Sequence, residues 1–440
     1  MRTASMLLAL LALAAPAAAD TLRVPADFAT IGDAVAAAAD GDTVSVSKGT
    51  YLETVIVSVP NLKLVGKNAT IDAQFGGTCL DIEANGVSVS GFTLANGTNG
   101  IFASGSDITI SKCKVYTCQA AGISAEGAPI TISGNTVQGC GGDGISYLHS
   151  LPGDGLIEKN TCLQNNGDGI EVTGDATTLS KNRCEQNENS GINVFVDSLS
   201  LFGLPVDQPV LIEKNTCNGN EDDGADVLNG TLSLVTIEKN SFSNNCDDGL
   251  FCDALNVVIS KNTCDDNMDD GLDLAVTGTQ IEKNSASGNQ DDGISIGSAL
   301  DLGNGGGFGT GNDNTATNNT CKGNRGDGIV ISVGNDDTLA SNKCTGNLDD
   351  GIDLNSAAST ATAVLDNTCS DNGHEGIDNT GQQTAIEGNV CKNNGRGVGP
   401  DIAGTGDGGA GTVATFTGNK FGTGGDTTAS RLDNYTATGP

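Results

Sequence analysis

Residues 157–172 read IEKNTCLQNNGDGIEV. Variants of this phrase recur along the chain, and its asparagine, Asn160, marks each one. Equivalent positions fall at Gly91, Cys113, Asn135, Asn160, Asn182, Asn215, Asn240, Asn262, Asn284, Asn319, Asn342, Asn367 and Asn389, so the base unit is 182 − 160 = 22 residues, lengthened in places by insertions. Just before the marker, apolar residues alternate, as at Val235 and Ile237 or Val257 and Ile259. That is the period of a half-buried strand. Two positions after the marker stands another inward-type residue, among them Val115, Val137, Cys162, Cys184, Phe242 and Cys264. Nine positions after it comes a glycine followed by Ile or Leu in most units, as in Gly144-Ile145, Gly169-Ile170 and Gly271-Leu272.

Three short apolar strands per unit, separated by Asn, Gly and Asp turns, cannot bury themselves alone, but stacked copies can. The architecture expected is all-β, a right-handed parallel β-helix of about 13 coils. At ~4.8 Å per coil the rod is roughly 60 Å long. The marker asparagines should stack as a hydrogen-bonding ladder.

Residues 27–57 depart from the repeat. Ile31 to Ala39 has helical character, Thr43 to Val46 alternates like a strand, and a helix here would cover the open first coil. ATIGDAVAAAADGDTVSVSKGTYLETVIV followed by LKLVGKNATIDA resembles the N-terminal cap of the pectate-lyase-like β-helix superfamily, and the repeats resemble its generic coil. The resemblance implies the fold and places substrate grooves along the strand that follows the glycine. It implies no single activity, because the superfamily spans lyases, hydrolases, esterases, epimerases, adhesins and inert scaffolds. The NTD, DD, GHG and RIK set of polygalacturonases, the DPH phrase of mannuronan epimerases and the GTVDFIFG phrase of pectin methylesterases are all missing from this sequence.

Residues 1–19, MRTASMLLALLALAAPAAA, read as a secretory signal peptide, with an apolar run too short to span a bilayer. The organisation expected is therefore a leader (1–19), a cap with an amphipathic helix (20–66), the β-helix (67–395) and a Gly/Thr-rich tail or end cap (396–440). The product is expected to be secreted, periplasmic or at the cell surface, with no transmembrane segment.

The 440 residues include 21 Lys+Arg and 55 Asp+Glu, a net charge of −34. Nucleic acid and anionic lipid would be repelled. With 63 Gly and 3% aromatics an ordinary helical globule is also excluded. Much of the charge is patterned: residues 221–380 hold 28 acidic and 6 basic residues, a local balance of 6 − 28 = −22. An acid precedes the coil glycine at Asp143, Asp168, Asp223, Asp248, Asp270, Asp292, Asp327, Asp350 and Glu375, and the next outward strand position is Glu171, Asp226, Asp273, Asp353 or Asp378 in several coils. In register, these make two adjacent acidic columns. Like charges ~5 Å apart repel by about 0.8 kcal/mol even at the dielectric of water. Two explanations stand side by side. Bound cations, Ca²⁺ above all, would offset the repulsion, with Asp265, Asp269, Asp270 and Asp273 of DDNMDDGLD as a candidate metal set. Alternatively the face is a solvated, aggregation-resistant surface.

Insertions after Ile145, Ile192 and Ile296 all follow the same strand, as loops on the binding face of a solenoid do. The columns supply the separations that glycoside chemistry needs between an acid and a base, with Asp270, Asp273 and Asp292, or Asp350 and Asp353, as candidates, but a regular column singles out no pair. Tyr147 and His149, beside Asp143, Asp168 and Glu171, are a further acid/base option against a default of loop filler; His374 occupies a turn position. Lys159, Lys214, Lys239 and Lys283, each after a Glu, should form surface ion pairs on another face. Among 14 Cys, Cys118 and Cys140 sit at a turn and are the candidate disulfide, while the inner column of Cys suits a narrow core. The functional expectation is an exported β-helix scaffold whose acidic groove binds cations and carbohydrate, a polysaccharide or cell-surface glycan, with no organic cofactor; the alternative is a polysaccharide lyase, glycoside hydrolase or epimerase using groove aspartates.

Overall fold

A computed structural model of the chain describes residues 19–150, 153–196, 209–230, 234–255, 257–297, 313–354, 361–395 and short pieces between 402 and 421. Three ladders of short strands run its length. The first sheet has 17 strands and the second 15. The third consists of runs of 8 and 6 strands, joined through single bridges from Thr216 to Ser241, Thr263 and Ser285. Every pairing within these ladders is parallel, and successive coils keep one register, as in Ile212↔Ile237, Ile237↔Ile259 and Ile259↔Ile281. Parallel strands joined by crossovers of one hand give a right-handed coil. In the interior, Cys162, Cys184, Cys217, Phe242, Cys264, Ala286, Cys321, Cys344, Cys369 and Cys391 stack as one fully buried column.

The marker ladder forms as expected. Each asparagine accepts at Oδ1 the backbone N–H of its counterpart one coil earlier, for instance Asn160 N–H to Asn182 Oδ1 at 3.0 Å, while Asn182 Nδ2 reaches back to the Ile157 carbonyl at 2.9 Å. A second ladder, not anticipated, runs five residues further on through Asn165, Asn187, Asn220, Asn245, Asn267, Asn289, Asn324, Asn347, Asn372 and Asn394. In two earlier coils Cys118 and Cys140 hold its position, and the Cys140 N–H donates to Asn165 Oδ1. The glycine nine after the marker has a packing cause: a Cβ on Gly169 would lie 2.5 Å from the Gly191 carbonyl oxygen and 2.6 Å from Cys184 Cβ.

Both ends differ from expectation. The helix spans Ile31–Ala37 and stops before Ala38, which is extended; it buries Ile31, Ala34 and Val35 on one stripe. Thr30 Oγ1 accepts the Asp33 N–H, and the Glu53 carboxylate accepts those of Ile31 and Gly32 at 2.9 and 3.0 Å. The cap strands are already rungs of the solenoid, because Thr21–Val24 pairs with Thr43–Val46, which pairs with Lys63–Gly66, and Val55–Val57 begins the second sheet. The ladder also runs past residue 395: Ile402–Ala403, Val413–Thr417 and Lys420–Phe421 pair onto the preceding coil, and Asn419 extends the marker ladder. The boundary expected at 396 is thus too early. The leader expected at 1–19 lies outside the described residues except for Ala19, as do residues 422–440. Among the described residues no helix is long and apolar enough to cross a membrane.

Candidate functional site

The turn entering the second sheet carries the first acidic column. Asparagine can accept and donate, but an ionised aspartate only accepts, and this ladder points the other way. The Asp248 N–H donates to Asp223 Oδ1 at 2.9 Å, Asp270 to Asp248 at 2.8 Å, Asp292 to Asp270 at 2.7 Å and Asp350 to Asp327 at 2.7 Å. The Asp168 N–H donates likewise to Asp143, while Ser190 interrupts the acids between Asp168 and Asp223. Asp223, Asp248 and Asp350 are each only 7% exposed. Burial first, and then the neighbouring aspartates, push the carboxyls up to about 9 at Asp223, Asp270 and Asp327, about 8 at Asp248 and about 7 at Asp292. Asp350 moves the same way, burial acting first, then Asp327 and Glu375.

The second column is acidic in several coils, with other residues between them. Its outward positions stack as Ser146, Glu171, Asn193, Asp226, Phe251, Asp273, Ser295, Val330, Asp353 and Asp378. Only Asp353 and Asp378 are acids on adjacent coils. Asp226 and Asp273 flank a half-buried Phe251 in register. Burial, then Asp222, lifts Asp226 to about 6; burial also lifts Asp273 to about 6, against the opposing hydrogen bond from Ser295. Asp226 Oδ1 is buried without a hydrogen-bond partner.

A third row, of which the sequence pointed to Asp269 alone, completes the face. The outer aspartate of each DDG phrase comes beside the ladder: Asp222, Asp223 and Asp247 converge, as do Asp247, Asp248 and Asp269, and then Asp269, Asp270 and Asp291, each group with oxygens within 4.8 Å. Successive groups share an outer aspartate. Toward the C-terminal end Asp349, Asp350 and His374 converge, and so do Asp350, Asp353 and Asp378. The four-residue set read from DDNMDDGLD does not assemble. Asp265 Oδ1 instead accepts from Ser285 Oγ at 3.0 Å and the Ser287 N–H at 2.9 Å, fixing a turn of the next coil, while Asp269 and Asp270 join Asp291. At the coil of Asp327 the outer position is Gly326, and among the described residues no such group forms around Asp292 or Asp327. The all-oxygen groups suit a hard cation such as Ca²⁺; the group with His374 adds a nitrogen.

The family described as right handed beta helix region matches residues 67–230, 205–304 and 297–421. The chain belongs to that family. Comparison with curated proteins by sequence finds no match. Among solved structures, this right-handed β-helix protein is similar to the A-module of the Azotobacter vinelandii mannuronan C-5 epimerase AlgE6, at 15% identity over 89% of this chain and 93% of that one, with a TM-score of 0.44. It is also similar to the periplasmic alginate epimerase AlgG in a double-mutant form, at 12% identity over 80% and 84% of the chains with a TM-score of 0.44. A PL6 alginate lyase in complex with a trisaccharide matches at 14% identity over 80% and 85%, with a TM-score of 0.45. Likenesses at this level concern the fold alone.

The remaining candidates of the right-handed β-helix protein are structural. Tyr147 faces the interior, its hydroxyl donating to the Gly127 carbonyl at 2.9 Å, and burial pushes it well above the usual tyrosine range. His149 is buried and bonded to the Gly153 carbonyl, with Asp175 3.6 Å from its Nδ1. Neither faces the acidic columns as an acid or base. Glu158–Lys159, Glu213–Lys214, Glu238–Lys239 and Glu282–Lys283 form ion pairs with largely exposed lysines. Cys118 and Cys140 are free buried thiols, and Cys118 Sγ donates to the Tyr116 carbonyl at 3.8 Å.

Proposed function

We propose that the chain is an exported scaffold whose acidic second-sheet face binds divalent cations and, with them, a polysaccharide. The observation that carries this reading is the stack Asp226–Phe251–Asp273. An aromatic ring is a platform for the apolar face of a sugar, and carboxyls on both sides can accept its hydroxyls or, with a cation between, hold an acidic sugar's carboxylate. Carboxylate groups repeating at each coil from Asp222 to Asp291 would let several cations bind in a row. Export rests on residues 1–19, and Ca²⁺ is the cation favoured by all-oxygen ligands outside the cell. Titration calorimetry with oligosaccharides of pectin, alginate and neutral glycans, with and without millimolar Ca²⁺, tests the reading; absence of binding by all of them in both conditions overturns it.

A second reading, glycoside hydrolysis, is favoured by the unlike surroundings of the same two acids. Asp226 has an unpartnered buried oxygen, which suits a proton donor, whereas Asp273 stands in register with Ser295, whose hydroxyl opposes the rise of its carboxyl, which suits a base. Two coil steps separate them by about 9.5 Å, the upper end of the range for an inverting pair. Sugar released by the protein, and lost in both Asp226→Asn and Asp273→Asn, would establish this reading; binding without release leaves the scaffold.

A further inference from the structure

Inside the coil, at the corner where the second sheet hands over to the first, one inward column changes character. It is apolar at Val210, Val235 and Val257, then continues in register as Thr279, Asn314, Asp337 and Thr362. Asp337 is 1% exposed and Thr362 fully buried. Asp337 Oδ1 takes the place of an asparagine oxygen in a ladder, accepting the Asn314 N–H at 2.8 Å. An asparagine would aim its Nδ2 donor from the other branch, as Asn314 does toward the Val276 carbonyl at 3.1 Å. Asp337 has an oxygen there. That oxygen, Oδ2, and the Thr362 hydroxyl on the next rung are both buried and without a hydrogen-bond partner.

We infer that Asp337 is a proton-operated latch: it sits in the ladder as a neutral carboxylic acid whose Oδ2–H replaces the missing amide donor, and loss of that proton loosens the coils C-terminal to it. A buried carboxylate facing other oxygens without a cation is among the costliest states in a protein interior. One proton on Oδ2 removes the charge and restores, on the branch where Asn314 carries its Nδ2, the donor that an asparagine would offer. The charged groups that act on it are Asp313 on the preceding rung and Asp336 on its own turn, both acidic, so each opposes ionisation. Burial is the leading cause of its rise to about 7, against the hydrogen bonds from Asn314. The stabilisation is therefore complete below the ordinary aspartate range and disappears as pH climbs through about 7. The coils that follow carry Asp349, Asp350, Asp353, His374 and Asp378, so the latch couples the C-terminal end of the acidic face to pH.

The test compares the full-length protein with Asp337→Asn, which supplies the donor permanently. Hydrogen exchange of residues 338–354 and 361–395 should lose roughly hundredfold protection in the wild type between about pH 5 and about pH 9, after correction for intrinsic exchange and relative to the variant. Equal pH dependence in the two proteins overturns the inference. A second measurement is independent of folding: the infrared difference between wild type and Asp337→Asn near neutral pH should contain a protonated carboxyl band, and a carboxylate band in its place equally overturns it.

Discussion

Asp248 accepts the backbone N–H of Asp270 at 2.8 Å across the coil boundary, and Asp270 in turn accepts that of Asp292 at 2.7 Å. The acids of this face are therefore structural rungs as well as charges. Each is held by an amide that favours its ionised form, in a setting where burial and its neighbours disfavour that form more strongly.

The first prediction follows from the sign of that balance. A carboxyl raised from 3.8 to about 8 or 9 stabilises the fold below about pH 4 and loses that contribution as pH rises through its folded value. The metal-free protein should therefore show a falling Tm between about pH 4 and about pH 9. Millimolar Ca²⁺ should cancel the fall and raise Tm most at the alkaline end. A metal-free Tm that climbs across this window would contradict the buried-acid account, and no Ca²⁺ effect at any pH would remove the cation claim.

Phe251 should contribute to glycan binding through ring stacking. Phe251→Ala is expected to weaken affinity roughly tenfold, about 1.4 kcal/mol. Phe102 lies on the same outward column nearer the N-terminus, between Asp81 and Ser124, and Phe102→Ala should leave affinity unchanged. Calorimetry that finds both variants equal to wild type would sink the platform.

Ladder asparagines should matter far more than surface pairs. Asn245 accepts the Asn220 N–H at 3.1 Å and donates to Asn267 Oδ1 at 3.1 Å, all out of solvent. Asn245→Ala takes the partner from the Asn220 N–H and the Cys217 carbonyl on the preceding coil and should cost about 2–4 kcal/mol in denaturant unfolding. Lys239→Ala, which removes an exposed pair with Glu238 at 2.7 Å, should change stability by less than about 1 kcal/mol.

Cys118 and Cys140 are poised to bridge if the chain matures in an oxidising compartment. Treatment with a disulfide oxidant should join their peptides and lower the titratable thiols from 14 to 14 − 2 = 12 under denaturing conditions. Mass spectrometry that finds both still reduced while other cysteines pair would refute the assignment.

The coil was legible because its instructions are local. Ile157, Cys162 and Ile170 announce three inward strands within one unit, and Gly169 is forced by contact with the next coil at a constant offset. The ends were misjudged because rungs such as Thr21–Val24 and Val413–Thr417 carry no marker phrase of the usual form, and pairing with a neighbour is what makes them strands. The second asparagine ladder was written at a fixed five-residue offset from the first, but Asn165 and its equivalents looked like ordinary turn residues.

By itself, then, the sequence determined the repeat, the inward and outward faces and the presence of an acidic ladder, since each depends on spacing within about one coil. Only the tertiary structure decided which acids meet. Asp247 comes within 4.8 Å of Asp222 and Asp223 from the preceding coil and of Asp269 from the next, while Asp265, four residues from Asp269, turns to another sheet. It also seated Phe251 between Asp226 and Asp273 and left Asp337 with an oxygen where its ladder needs a donor. Stacking brings residues 22 or more positions apart to within one strand spacing, and the environment of a carboxyl is set by those neighbours rather than by the residues beside it in the chain.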